Sequence, residues 1–395
     1  MKDKILVTIA AVLLHLAIGS VYAWSVLTLP IMENNGWSFE EVATVFGLTI
    51  ATLGFSAAFL GPKVRQWGAR TSCFISIMFF VIGLVLSSVA ISVNSIVLLY
   101  IAYGLLVGIG TGIAYLVPIP VLMTWYPENR GLATGLVVSG FGLSGLLAGY
   151  GYYYLIGTVG LEHTFMAVAI VSVLLMLPSV ILLRANPANV SANLNDISHD
   201  YRAYLKSPSF RVLWVVFFIN IFIGVAALSA LAPILVNMFS VSAFEAANFV
   251  AIAAVVNGLS RLIWSSLSDF IGRPLTFVLM VFLEAAALGV LVFGEAYYAY
   301  YTCLLILISC YGGMFATMPG YLADLWGTVN LSDCLGLMLT AWGVAGFFGP
   351  KTLAYCYYWT NDYDTFFIVG TILMVVNFGL TVYLSERNLL KNLKH

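Results

Sequence analysis

Long apolar runs decide what this chain can become. Twelve stretches are long enough to cross a hydrocarbon core of about 30 Å, which takes roughly 17–25 helical residues. They cover 5–31, 41–62, 72–93, 96–123, 131–157, 164–184, 210–236, 244–268, 275–293, 297–322, 333–358 and 364–384. Lipid offers backbone N–H and C=O groups no partners, so runs of this length predict helices. Composition agrees: 62% of the 395 residues are hydrophobic and 8% are charged, where a soluble domain carries about 25% charge. The expected fold is all-α and integral to a membrane. Lys2 and Lys4 precede the first run in the manner of a signal peptide. Its apolar stretch is too long and no small-residue cleavage site follows, so a retained helix is expected.

With so few charges, their positions become informative. Assigning alternate loops to opposite faces puts Lys2, Lys4, Lys63, Arg65, Arg70, Arg130, Arg184, Arg202, Lys206, Arg211, Arg273, Arg387, Lys391 and Lys394 on one face. By the positive-inside rule that face is cytoplasmic, which places both termini in the cytoplasm and the chain in the inner (plasma) membrane. Two of the 16 Lys and Arg residues are left inside spans: Arg261 in the eighth and Lys351 in the eleventh. A net charge of −1 supplies no field for nucleic acid. The five cysteines are dispersed through apolar surroundings and suggest neither a disulfide framework nor a metal knuckle. With no Walker-type loop and no Ser/His/Asp set, neither nucleotide-driven transport nor enzymatic chemistry is expected. No cofactor is expected either, and the functional unit is expected to be a monomer in lipid.

The longest polar stretch, 185–209, separates six spans from six. It reads as a cytoplasmic linker between an N-terminal bundle, 1–184, and a C-terminal bundle, 210–384, with 385–395 as a cytoplasmic tail. The Asn189-Val190-Ser191 and Asn330-Leu331-Ser332 sequons fall on the cytoplasmic side, where glycosylation is not expected. The halves repeat at an offset of about 201 to 204 residues: Gly135-Leu136, Gly142 and Gly145 match Gly336-Leu337, Gly343 and Gly346. Gly68 matches Gly272 inside the related loop segments 61–70 and 266–274. Two pseudo-symmetric six-helix bundles follow. Parallel repeats of this kind build rocking transporters that hold substrate at mid-depth between the halves. The glycines themselves read first as packing devices that let helices approach closely.

On these spans, loop segments and repeats the chain resembles the major facilitator superfamily. More narrowly, Gly19-Ser20-Val21-Tyr22-Ala23-Trp24-Ser25-Val26 resembles the first-span signature of the oxalate/formate antiporter family. So do Trp125 through Gly135, Gly312-Gly313-Met314-Phe315-Ala316-Thr317-Met318-Pro319 and Thr340-Ala341-Trp342-Gly343-Val344-Ala345-Gly346. The likeness runs over almost the whole chain, and its relatives include monocarboxylate carriers. It implies substrate-carboxylate ligands at an arginine of the eighth span and a lysine of the eleventh, the places held by Arg261 and Lys351. It also implies a gating loop at Gly61, Arg65 and Gly68, repeated at Asp269, Gly272 and Arg273. The first copy departs from the family by having Arg65 where an acid is usual, so the latch is expected to depend more on the second copy.

The residues alone single out the same pair. A charge at the bilayer centre costs about 2.5–3.5 kcal/mol on insertion scales and therefore faces a cavity or a partner. Asn257, Arg261 and Ser265 are spaced to share one helix face, which reads as a cavity lining. The competing reading for each cation is a side chain stretching to the membrane surface. Lys351 follows Pro350 and shares a face with Thr340, Val344, Phe347, Tyr355 and Tyr358. Two cations match one dianion such as oxalate, Arg261 binding a carboxylate bidentately. Tyr22, Tyr115 and Tyr311 are candidate hydroxyl donors around a small planar anion. His15 and Glu284 are the titratable groups inside spans and the candidates for proton coupling, each with packing as the alternative role. The expected function is secondary transport of small carboxylate anions by alternating access. Exchange of the oxalate/formate type is favoured over proton-coupled symport of formate, lactate or pyruvate.

Overall fold

The computed structural model describes residues 2–187, 201–294 and 296–392. Ten of its helices are long and apolar enough to cross a membrane. Two of these, α3 (Phe39–Ser92) and α7 (Arg130–Leu182), each contain two spans that meet at a glycine with non-helical backbone, Gly68 (φ 74°, ψ 170°) and Gly160 (φ 82°, ψ 168°). Positive φ costs a glycine little, so a reversal fits without a loop. All twelve expected spans are therefore present.

The first span is α1 (Lys2–Ile18), a 3₁₀ turn over Gly19–Ala23, and α2 (Trp24–Asn35). The second and third lie in α3. The fourth is broken into α4 (Ile96–Leu99), a π-helical stretch Tyr100–Val107, α5 (Gly108–Leu116) and α6 (Pro118–Trp125). Pro118 opens α6 because its missing N–H is harmless in a first turn. The fifth and sixth lie in α7.

A short α8 (Tyr201–Lys206) precedes the seventh to twelfth spans. These are α9 (Pro208–Phe239), α10 (Ala243–Ile271), α11 (Arg273–Phe293), α12 (Tyr297–Trp326), α13 (Leu331–Thr360) and α14 (Asp364–Asn392). Pro319 lies inside α12, which runs on past it. α14 continues eight residues past 384, through the expected tail, because nothing in Ser385 to Asn392 breaks a helix. Most of the polar linker, 188–200, lies outside the described residues with the Asn189 sequon.

The repeat is visible in caps as well as helices. Ser38 and Glu41 form a capping box at the start of α3, and Ser242 and Glu245 form the same box at the start of α10. Each serine hydroxyl accepts the third helical N–H while the glutamate returns to the serine amide. Gly68 and Gly272 both have positive φ at corresponding turns, and Gly160 is answered by Asn361 (φ 57°).

The halves meet along two related crossings, α3 against α13 and α7 against α10. Glycines bring backbone onto backbone in the first: a Cβ on Gly54 would stand 2.9 Å from Gly343 N and 2.6 Å from Leu339 O. In the second, a Cβ on Gly142 would stand 3.0 Å from Gly258 Cα. Gly54 and Gly258, like Gly142 and Gly343, are partners under the repeat offset. One packing solution is thus used twice, and the space enclosed between the two crossings holds the buried cation.

Candidate functional site

α10 carries Asn257, Arg261 and Ser265 on one face, and all three are buried between the halves. Arg261 is 1% exposed and lies ten residues from the end of α10, about 15 Å by helical rise and so near mid-depth. Its Nε donates to Asn257 Oδ1 at 3.3 Å, and its Nη1 donates to the Val138 carbonyl of α7 at 3.3 Å. Gly142 makes this approach possible, since a Cβ there would be 3.0 Å from Arg261 Nε. The Nη2 group makes no well-aligned hydrogen bond among the described residues, and the Tyr22 hydroxyl is the side-chain group that interacts with the guanidinium from the first span. A buried cation with a free donor edge is costly unless something fills it.

Aromatic rings surround the guanidinium. Its carbon is 5.8 Å from the centre of Phe141 and 5.6 Å from that of Phe315, within cation–π range. Trp342 stands 5.8 Å from Phe141, 5.8 Å from Tyr115 and 4.7 Å from Phe315. Tyr22 packs edge-on against Phe141 at 4.8 Å, and its hydroxyl meets that of Tyr311 at 3.1 Å, joining the first span to the tenth. His15 lies 5.1 Å from Tyr115 and 6.3 Å from Phe141. Arg261 is within electrostatic range of His15, Tyr22, Tyr115 and Tyr311.

The Tyr115 hydroxyl, Trp342 Nε1 and Arg261 Nη2 are buried without a well-aligned hydrogen-bond partner among the described residues, and His15 has only the Ala11 backbone of its own helix beside its ring nitrogens. Buried polar atoms are nearly always satisfied by protein or by something bound. These atoms lie in one cluster of rings around Arg261 between the halves.

The structure thus brings Arg261, Asn257, Tyr22, Tyr115, Tyr311 and His15 together, and leaves Lys351 and Glu284 elsewhere. Lys351 is exposed, with Nζ 4.1 Å from the centre of Phe347. It lies nine residues beyond Trp342 on α13, about 13 Å toward the face opposite the basic loops. Glu284 is fully buried in the C-terminal half, where both its oxygens accept from Asn220 Nδ2 of α9 at 2.7 Å. The sequence reading missed Phe141, Phe315 and Trp342. Phe141 and Trp342 occupy equivalent positions in the repeat, each beside the glycines of a crossing, and that coincidence was available as a signal.

At the face carrying the basic loops the halves are latched. Asp269 accepts the Gly131 and Leu132 amides at 2.9 Å each, capping the first turn of α7 with a carboxylate where the helix dipole favours one. Arg273 holds Asp269 at 2.5 Å, contacts Ser268, and reaches Asp324 at 3.3 Å, which in turn pairs with Arg130 at 3.2 Å. In the first copy Arg65 pairs with Asp333 at 2.9 Å and with Asn330 at 3.2 Å, and Gly61 packs on the Ser332 carbonyl. Arg65, where an acid is usual, reverses the sign of that arm and finds its acid on α13. Gly68 and Gly272 form the turns that follow each arm.

The family model described as Major Facilitator Superfamily matches residues 7–350. The oxalate:formate antiporter of Oxalobacter formigenes is 26% identical over 393 residues, covering 96% of this chain and 90% of the relative. Mouse monocarboxylate transporter 11 is 26% identical over 368 residues, covering 87% and 78%. The crystal structure of a bacterial homologue of the iron transporter ferroportin shares the fold, with a TM-score of 0.77 at 14% identity over 96% of this chain and 99% of that one. A match that spans both halves, on a fold shared along nearly the whole chain, makes this a membrane transporter and not an enzyme: the chain belongs to the Major Facilitator Superfamily.

Proposed function

We propose that the protein is a secondary transporter of small carboxylate anions, working by alternating access as an exchanger of the oxalate/formate type. The observation that carries this reading is the unfilled Nη2 edge of Arg261, buried among aromatic rings between the two halves. A carboxylate can accept from that edge in a charge-assisted bond, while the rings exclude water and strengthen it. Tyr22, Tyr115, Tyr311 and Asn257 bind or orient the anion, and Lys351 joins it when the outer part of α13 moves inward. The likeness to an oxalate:formate antiporter supports the same substrate class. In this reading residues 1–184 and 210–384 rock as two units about the site, with 185–209 as the linker and 385–395 as the tail. The face with the basic loops is cytoplasmic, both termini lie there, and the membrane is the inner (plasma) membrane.

Counterflow in proteoliposomes tests it. Wild-type protein should accumulate labelled oxalate or formate against a carboxylate-loaded interior, and Arg261→Gln should remove that uptake. Full uptake by Arg261→Gln, or none by wild type with any small carboxylate, refutes the assignment.

A second reading is proton-coupled monocarboxylate symport, with His15 and Glu284 as the titrating groups. The position of Lys351 favours it, because Arg261, the buried cation of the ring cluster, matches one negative charge. External alkalinisation during uptake supports symport, whereas dependence on carboxylate inside the vesicle supports exchange.

A further inference from the structure

Exchange asks for more than a site that holds an anion, because the protein must also be slow to reorient without one. Arg261 sets that barrier, since a buried guanidinium needs a partner in every conformation between the two faces. A bound carboxylate is one such partner, and the protein carries another of its own. The Tyr22 hydroxyl interacts with the Arg261 guanidinium and meets the Tyr311 hydroxyl at 3.1 Å, so one side chain of the first span engages the eighth and tenth together. The Tyr22 ring stands 4.8 Å from Phe141 and 6.3 Å from Trp342, edge-on to both. A Cβ on Gly145 would stand 3.5 Å from the Tyr22 Cβ. This tie lies beyond the ring cluster: Tyr22 is seven residues past His15 and Tyr311 four before Phe315, about 10 Å and about 6 Å of helix toward the face opposite the basic loops. Tyr22 is half-buried there, whereas Tyr115, Tyr311 and Trp342 are buried. It sits on the 3₁₀ turn Gly19–Ala23, the kind of break within a span that serves as a hinge. Tyr311 is held against α9, where a Cβ on Gly224 would stand 2.6 Å from its ring. A neutral phenol oxygen is a weaker acceptor than a carboxylate, whose bonds to arginine are charge-assisted. A carboxylate therefore takes Arg261 from Tyr22, and the hydroxyl returns when the carboxylate leaves.

We propose that Tyr22 is an internal stand-in for the substrate carboxylate: by partnering Arg261 between loads it lets the unloaded protein reorient, which gives the carrier a slow net-transport mode beside exchange. This rests on the carboxylate reading and assigns Tyr22 a coupling role that binding the anion does not include. Exchange outruns net flux because the phenol is the poorer partner, and net flux persists because it is a partner nonetheless.

The test uses full-length protein in vesicles loaded with saturating labelled formate or oxalate and held at zero membrane potential. Dilution into medium with and without the same unlabelled carboxylate gives exchange and net efflux from one preparation. Wild type should exchange faster than it releases, with net efflux clearly above that of protein-free vesicles. Tyr22→Phe, which keeps the ring and removes the hydroxyl, should lower net efflux relative to exchange by about fivefold, the scale of one net hydrogen bond. A residue that only binds the anion would lower both rates together and leave their ratio unchanged. If Tyr22→Phe fails to fold, Gly224→Ala tests the same tie by displacing the Tyr311 ring from behind, and it too should lower the ratio. Wild-type net efflux no greater than that of protein-free vesicles overturns the proposal, as does a wild-type ratio in Tyr22→Phe or, where that variant does not fold, in Gly224→Ala. Exchange that persists in those cases leaves the carboxylate reading standing. If neither mode carries formate or oxalate, both fall.

Discussion

Arg261 and Lys351 were equals in the sequence, two cations left inside spans after the loops had claimed the others, and the fold separates them. Arg261 points between the halves, where Asn257 and the Val138 carbonyl engage two of its nitrogen groups. Lys351 lies along Phe347 in the open, its stem on apolar surface and its ammonium near the surroundings, the habit of a long amphipathic side chain. In the proposed exchange Lys351 serves as a second pole for a dianion. Lys351→Gln should therefore weaken oxalate much more than formate, raising the half-saturating oxalate concentration about tenfold, as expected for one charge-assisted contact. An equal effect on both substrates, or on neither, removes Lys351 from the site. Charge census found Arg261 because charge is rare in lipid. It could not find Phe141, Phe315 and Trp342, since apolar rings are the ordinary material of a chain with 26 Phe, 22 Tyr and 9 Trp. Only three-dimensional packing separates rings that wall the guanidinium from rings on the outer surface, such as Tyr153 and Tyr358.

At the scale of elements, length and hydropathy predicted the helices, and the main departures are breaks within spans. The 3₁₀ turn at Gly19–Ala23 occurs where the first span crosses the fifth: a Cβ on Gly19 would lie 2.5 Å from the Phe141 carbonyl. Such a contact belongs to two helices at once, so no periodicity within one span reveals it. The twin capping boxes went unread in the sequence, although the serine and glutamate spacing recurs at the repeat offset.

The two glycine crossings differ in a way that can be measured. At Gly54 an added methyl meets backbone, Leu339 O at 2.6 Å and Gly343 N at 2.9 Å, which can yield only if the helices part. At its repeat partner Gly258 the nearest atom is the far end of the Leu143 side chain, at 2.6 Å, which can rotate away. Gly54→Ala should therefore cost about 1–3 kcal/mol in the packed arrangement, lowering the melting temperature of detergent-purified protein by several degrees, and Gly258→Ala should cost clearly less. Equal losses would mean that the two crossings do not bear the closed state as described.

For the whole molecule, the polar contacts between the halves run from Tyr22 and Tyr311 at mid-depth to the face with the basic loops. That face is closed, and the closure depends on groups that satisfy one another only while the halves touch. Asp269 is the centre of it. Its two oxygens satisfy the Gly131 and Leu132 amides, orphan donors of a helix start that otherwise need water or another cap. Opening this face exposes those amides and parts Arg65 from Asp333, so the latch weights the equilibrium between states. Asp269→Asn keeps one acceptor and loses the charge, a change of about 1–2 kcal/mol for a partly buried cap. It should shift the balance toward the open form by about tenfold. Ser265 reports on this, being buried against Gly135 between α10 and α7. With the five native cysteines replaced, a Ser265→Cys reporter should react slowly with a membrane-permeant maleimide and about tenfold faster when Asp269→Asn is added. Saturating carboxylate, if it draws the halves together around Arg261, should slow the reaction again in both proteins. A labelling rate indifferent to Asp269 would place the weight of the closed state on the glycine crossings rather than on the charged latch.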